Sequence, residues 1–459
     1  MPDRPNILLI MADQMIPHLT GAYGHPVVQT PHLNRLVEEG VRFDAAYSSC
    51  PLCAPARASL YTGRFVSRIG AYDNATPPSS EQPTLCHYLT NAGYETVSSG
   101  KLHYVGPDQL HGFRHRLNAD IYPASLEWTP TSVRDGDDAS IDRRSHARGY
   151  ALPNVGVRTW SKFLAYDAET QYRAIEYLHN RTLTPSGPDS EPFFLSVSFH
   201  CPHDPFFVTQ DLWDLYEGQE IEIPTYPENM EETYSAMDRW LNAYHGTDRI
   251  DIRRSESLTA LRRSYYGLVT WIDRQVGELL ATLEHTGYLA NTLVVFASDH
   301  GDMLAEKNMV QKRSFYEYSC RVPLIVRFPD GSFLGEGSVT GYQAAVLVDR
   351  LLARTDANTG CTDAMAGLED TGFRFADVPG DHWAAGAAER LAALGVGDAF
   401  PDGNLNGDEF LSGYQTALLL ANAVAAVDAK VLCGENTVNE RLGSMAAEVA
   451  TLKADIAAG

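Results

Sequence analysis

Positive charge is scarce in this 459-residue chain, where 36 Lys and Arg face 59 Asp and Glu for a formal net charge of −23. So acidic a surface repels phosphate backbones and anionic lipid, which argues against nucleic acid or any other polyanion as a partner. Long apolar runs are also missing. The longest near the N-terminus, Ile7 to Met11, falls far short of the roughly 20 residues of a membrane span. The residues before it lack the basic leader and apolar core of an export signal, so the expectation is a cytoplasmic protein with no membrane span. Cysteines are few and scattered: Cys50, Cys53, Cys86, Cys201, Cys320, Cys361 and Cys433. That scatter excludes a zinc-ribbon pattern and suits a reducing compartment with mostly free thiols. Apolar residues are not scarce. At 44% of the chain they suffice for a sizeable core, and the length suits about three domain-sized units or one large enzyme with additions.

Buried-strand and helix patterns alternate along the first three quarters. Asn6 to Met11 reads as a buried strand, and Thr30 to Glu39 as a helix with Thr30 at its N-cap, Pro31 in its first turn and Gly40 as its stop. A helix at Thr84 to Ala92, a strand at Glu95 to Ser98, a helix near Asp167 to His179 and a strand at Phe193 to Phe199 follow. The long helix Leu258 to Glu284 then feeds the strand Thr292 to Ala297, with another strand at Val322 to Phe328. This alternation predicts an α/β fold, a mostly parallel sheet with helices on both faces. Ligands bind at the carboxyl ends of such strands, which directs attention to the residues after Met11, Phe199 and Ala297. Composition changes near residue 355. Residues 355–459 carry 16 acidic and 5 basic residues, a net −11, and are rich in Ala and Gly. The expected division is a catalytic domain over 1–354, a linker over 355–372, and a small, mainly helical C-terminal module.

Asp13 and Gln14 follow the first strand, and Asp299 and His300 follow the strand Thr292 to Ala297. Four oxygen or nitrogen donors there suit a hard divalent cation: calcium first, then magnesium or manganese. Taken singly, aspartates after strands are ordinary helix caps and turn formers. Cys53-Ala54-Pro55-Ala56-Arg57, followed by Thr62-Gly63-Arg64, is different. A Cys-x-Pro-x-Arg string arises by chance about once in a hundred chains of this length.

That string resembles the sulfatase signature of the alkaline phosphatase superfamily, in which the cysteine is oxidised to formylglycine by a maturation enzyme. The resemblance implies that the hydrated aldehyde at position 53 is the nucleophile, with Arg57 orienting it. Lys101 and His103, in Gly100-Lys101-Leu102-His103, match the family's Lys-x-His pair. By that match Lys101 stabilises the nucleophile and His103 is the base that later collapses the sulfated intermediate. His203, in His200-Cys201-Pro202-His203-Asp204-Pro205, is by the same match a general acid or sulfate ligand, and Lys312 a second sulfate-binding lysine. The family usually has a further His where Cys201 stands; here His200 lies one place earlier.

Ser67 to Asn74, Gly106 to Phe113, and Asp120-Ile121-Tyr122-Pro123 through Trp128-Thr129-Pro130 are similar to choline sulfatases, in order, over roughly residues 4 to 330. In that family choline-O-sulfate is cleaved to choline and sulfate. Trp128 stands at the aromatic position that holds the quaternary ammonium, and a tryptophan face suits a cation that donates no hydrogen bonds. Choline sulfatases continue into a C-terminal subdomain that closes the substrate site and assembles subunits, whereas this chain leaves the pattern after Pro329. The partners implied are a small sulfate ester, the maturation enzyme and a second copy of the chain. Alternatives are another sulfate ester, a phosphonate or phosphate ester, or an inactive envelope-binding fusion.

In the tail, Phe375 to Ala384, Phe400-Pro401-Asp402-Gly403 and Tyr414-Gln415-Thr416-Ala417 resemble an S-layer homology module over about 373–430. That family binds envelope polysaccharide, which makes the cell envelope the alternative location. Asp402, Asn404, Asn406 and Asp408 imitate a calcium loop, but its twelfth position is Gly413 rather than Glu, so a turn is expected. Leu442, Met445, Val449, Leu452 and Ile456 form a heptad seam, and a short coiled-coil-like helix is expected over 437–459.

Overall fold

The computed structural model describes residues 4–125, 155–183, 191–226, 229–249, 252, 255–329, 373–382 and 384–407, with scattered positions among 345–352 and 415–434. The chain forms two compact units, Met1–Phe333 and Leu334–Gly459. Their division lies ahead of the compositional boundary at 354/355. The 355–372 linker and the 437–459 helix fall outside the described residues.

The first unit is built on a seven-stranded sheet. Its strands in chain order are β1 (Asn6–Asp13), β2 (Val41–Arg42), β3 (Glu95–Gly100), β4 (His115–Arg116), β5 (Phe193–Pro202), β6 (Thr292–Ser298) and β7 (Leu324–Arg327). They lie side by side as β2-β7-β6-β1-β5-β3-β4. Pairings from β6 through β1, β5 and β3 to β4 are parallel, while β7 runs antiparallel to both β6 and β2. The central strands are covered on both faces: all ten residues of β5 are buried, including Ser196, Ser198 and His200. Helices α1 (Pro31–Glu38), α2 (Cys53–Thr62), α3 (Lys162–Thr182), α4 (Ala236–His245) and α5 (Ser255–His285) surround the sheet. The main core combines Leu8 and Ile10 of β1, Leu195 and Val197 of β5, Phe296 of β6, and Leu268, Ile272 and Val276 of α5. The expected segment Val322 to Phe328 is divided: Arg321–Val322 pairs with Ala46–Tyr47 in a separate small sheet, and only Leu324–Arg327 joins the main one.

In the second unit, Phe375, Leu391, Val396 and Phe400 belong to one apolar cluster, with the Phe375 and Phe400 rings edge to face at 5.0 Å. Asp377 closes a turn by accepting hydrogen bonds from the backbone N–H of Leu405 and Asn406, both at 2.7 Å. Cys50, Cys53, Cys86, Cys201 and Cys320 are free thiols, but Cys433 is disulfide-bonded. The five free thiols accord with the expectation of mostly free cysteines, and Cys433 departs from it. No described helix is long and apolar enough to cross a membrane.

Candidate active site

The carboxyl ends of β1, β3, β5 and β6 converge, and the chain turns sharply as it leaves them. Gln14 and His103 adopt left-handed backbone conformations, φ 68° and 60°, which cost a non-glycine residue about 1–3 kcal/mol. Gly100 must be glycine: its φ is 96°, and a Cβ there would lie 2.1 Å from the Ser198 carbonyl oxygen of β5. Only a bare backbone lets β3 pass so close to its neighbour while delivering Lys101 and His103.

Into this cleft α2 inserts its first residue, Cys53. One donor atom from each of Asp13, Cys53, Asp299 and His300 lies within 4.8 Å of the others, and all four residues are buried. The sulfur stands 3.1 Å from His300 Nε2 and 3.9 Å from Asp13 Oδ1. Two carboxylates this close repel each other, and Arg57 answers the charge. One turn along α2, its Nη2 donates to Asp13 Oδ2 (3.0 Å), its Nε to Asp299 Oδ2 (2.9 Å), and its Nη1 to the Lys101 carbonyl and Ser198 Oγ, both at 2.7 Å. Lys101 Nζ lies 2.5 Å from Asp13 Oδ2. Burial alone would raise the Asp13 carboxyl, but Lys101, His203 and Arg57 together hold it well below the usual carboxylate range. Burial would likewise raise the Cys53 thiol, yet Lys101, Lys312, His300 and a hydrogen bond with His103 pull it well below an ordinary cysteine. Across the cleft, Lys312 Nζ lies 2.6 Å from His203 Nε2.

Two oxygens coordinating one calcium from opposite sides are about 4.6–5.2 Å apart, so the observed spread matches one shared ion. Asp13, Asp299 and His300 fit that group, the carboxylates favouring a hard cation. Gln14, the fourth expected ligand, is buried directly beside Asp299. Its backbone N–H donates to Asp299 Oδ1 at 3.1 Å, while its side-chain amide is taken up by Asp302 and Lys312. The cleft therefore brings together Asp13, Gln14, Cys53, Arg57, Lys101, His103, His203, Asp299, His300 and Lys312. Trp128 falls outside the described residues.

Several residues at the site carry no motif of their own. Asp302 accepts from Gln14 and from the Leu304 N–H, and the strand-end string Asp299-His300-Gly301-Asp302 was the available signal. Ser198 braces Arg57 from within an apolar strand. Asn74 Oδ1 accepts the Ala54 N–H at 3.0 Å, capping from a distance a helix whose N-cap, Leu52, has no capping side chain. His200, displaced by one place from the family's pattern, points inward and packs 4.8 Å from His203.

A family model described as Sulfatase matches residues 5–332. The chain belongs to the sulfatase family. A second family model, S-layer homology domain, matches residues 374–417. Choline-sulfatase of Rhizobium meliloti (strain 1021) is 39% identical over 329 residues, covering 71% of this chain and 63% of that protein. The chain thus spans less than two thirds of that relative's length. Arylsulfatase of Clostridium perfringens is 29% identical over 386 residues, 80% of this chain and 77% of that one. Among solved structures, a phosphonate monoester hydrolase of Agrobacterium radiobacter aligns with a TM-score of 0.57 at 26% identity, over 71% of this chain and 68% of that one. The fold is accordingly the alkaline-phosphatase-like sulfatase fold that the resemblance implied, on the mostly parallel sheet that the alternation of strands and helices predicted.

Proposed function

We propose that the protein is a sulfuric ester hydrolase that cleaves choline-O-sulfate to choline and sulfate, with formylglycine made from Cys53 as nucleophile. The observation that carries the reading is the convergence of Asp13, Asp299, His300 and Cys53 on one buried point, ringed by Arg57, Lys101 and Lys312. A sulfate monoester is anionic and its transfer builds charge on the leaving oxygen, so a site for it must be cationic and dry. When bound, a divalent cation, calcium by preference, supplies electrostatic stabilisation of the sulfuryl oxygens, and the matured residue supplies the attacking oxygen.

The chain's own side chains account for the rest. Arg57 favours the charged form of both aspartates and aims them inward. Lys101 neutralises Asp13 beside the nucleophile. His103, hydrogen-bonded to the residue 53 side chain, sits where a base takes the proton from that atom. Lys312 and His203 face them and are available to hold the transferring group and protonate the departing oxygen. Support for choline as the alcohol comes from the identity with choline-sulfatase and from the Ser67–Asn74 and Asp120–Pro123 strings. A phosphonate or phosphate monoester is the second reading, favoured by the likeness to the Agrobacterium radiobacter hydrolase.

For location, the S-layer homology match and the disulfide at Cys433 favour the cell envelope over the cytoplasm, with wall polysaccharide as the partner of the second unit. The test of the reaction is sulfate release by protein co-expressed with a formylglycine-generating enzyme, together with the mass of the Cys53 peptide. Release from choline-O-sulfate that accompanies the aldehyde mass supports the reading; thiol only, or a matured protein that hydrolyses phosphonate and no sulfate, contradicts it.

A further inference from the structure

The string Asp120-Ile121-Tyr122, given no part in the reaction above, closes from two directions on the loop that carries Lys101 and His103. Asp120 Oδ2 accepts hydrogen bonds from the backbone N–H of Leu102 (3.0 Å) and of His103 (2.7 Å), and is paired with Arg116 Nη2 at 2.9 Å. Two residues on, the Tyr122 ring stacks on the His103 imidazole, centroids 4.6 Å apart and planes inclined by 24°. The Lys101 ammonium lies 4.7 Å from the same ring's centroid. The Tyr122 hydroxyl is 3.4 Å from His200 Nε2, and the His200 ring rests against Phe163 at 4.4 Å.

Such bracing answers a physical need. His103 occupies a left-handed conformation that a lone loop would not keep, and Lys101 is a long, flexible chain whose alignment decides how its charge acts. We propose that Asp120 and Tyr122 are positioning residues. Asp120 fixes the backbone of the loop, and the ring of Tyr122 fixes the side chains, holding Lys101 against Asp13 and His103 against residue 53. The ring face is the working part, since it meets both side chains, whereas the hydroxyl is directed at His200. This assignment rests on the sulfatase reading for its kinetic consequence, but not for its structural one.

The test compares Tyr122→Phe with Tyr122→Leu in the full chain, matured and supplied with Ca²⁺. Misplacing reacting groups by about 1 Å costs on the order of a hundredfold. The Leu variant is therefore expected to lose about 30–100-fold in kcat for choline-O-sulfate with KM changed less than about threefold, and the Phe variant to recover kcat to within about threefold of the unaltered protein. An equal loss in both variants, or a loss confined to KM, overturns the proposal. Crystal structures of both variants with unmodified Cys53 supply a readout independent of turnover. Lys101 and His103 should be displaced by about 1 Å or more in the Leu variant and unmoved in the Phe variant; unmoved side chains in the Leu variant overturn the clamp. Displacement there, alongside an unaltered protein that releases no sulfate, supports the clamp and rejects the sulfatase reading.

Discussion

Arg57 shows most clearly how one residue sustains the site. Its guanidinium is completely buried and divided among two carboxylates, a carbonyl and a hydroxyl. Removing one member of a buried ion pair costs about 3–5 kcal/mol, because the remaining charges lose their partner. Arg57→Leu should therefore lower stability by about that amount in EDTA, with part of the loss recovered on adding Ca²⁺, since the cation takes over neutralisation of Asp13 and Asp299. Urea unfolding with and without calcium measures both. His245 offers a pH signature away from the nucleophile. Burial first, then Arg313 and Lys312, push it down to about 3, whereas an unfolded histidine titrates near 6.5. The unfolded chain thus binds a proton that the native state refuses, so stability is full above pH 6.5 and falls as pH drops toward 3. Between pH 7 and 5 this histidine alone should weaken the folding equilibrium about 25-fold, a dependence that His245→Gln removes in urea titrations at the two pH values.

At this scale the legible residues were those that end strands or sit in a rare string: Asp13, Cys53, Arg57, Asp299 and His300. Asp120, Asp302 and Ser198 were not, because their roles depend on side-chain directions across loops, which one-dimensional spacing does not encode.

Elements were more readily foreseen than the contacts that end them. The helix at Thr30 to Glu39 is observed at Pro31–Glu38, and Gly40 follows it, but Thr30 is not the capping side chain. Its hydroxyl instead accepts the Ala22 N–H at 2.8 Å. The first-turn N–H groups of α1 are taken by Asp273 of α5, from Leu33 at 2.7 Å and His32 at 3.2 Å. A cap supplied from more than 240 residues away leaves no local trace. Asp273→Ala should cost about 1–2 kcal/mol, read as a shift in urea midpoint. Thr84 was a better local signal: it caps Leu85–Asn91 in a reciprocal box with His87. Apolar runs located the strands from Asn6, Phe193 and Thr292, though each runs further toward the site than its apolar residues do. β5 continues through His200 and Cys201 to Pro202, polar positions that burial at the strand end retains.

Across the whole molecule, the acidic second unit was visible in composition, but its boundary was not. Buried Ala345, Val348 and Leu352 join the apolar cluster around Phe375 and Phe400, so the unit takes in residues whose composition still resembles the catalytic part. Short fully buried helices and strands differ little in composition, and a boundary between two apolar cores is correspondingly faint. Cytoplasmic residence was the expectation that fared worst: it rested on scattered cysteines and a short first apolar run, and the S-layer homology match fits the envelope alternative better.

Anomalous diffraction from crystals soaked in Mn²⁺ would locate the single hard cation proposed to lie between β1 and β6 against residue 53. One peak is expected within about 2.0–2.6 Å of carboxylate oxygens from Asp13 and Asp299, with His300 beside it, absent from an Asp13→Asn, Asp299→Asn double variant. A peak elsewhere, or none where those side chains meet in well-ordered density, would contradict it.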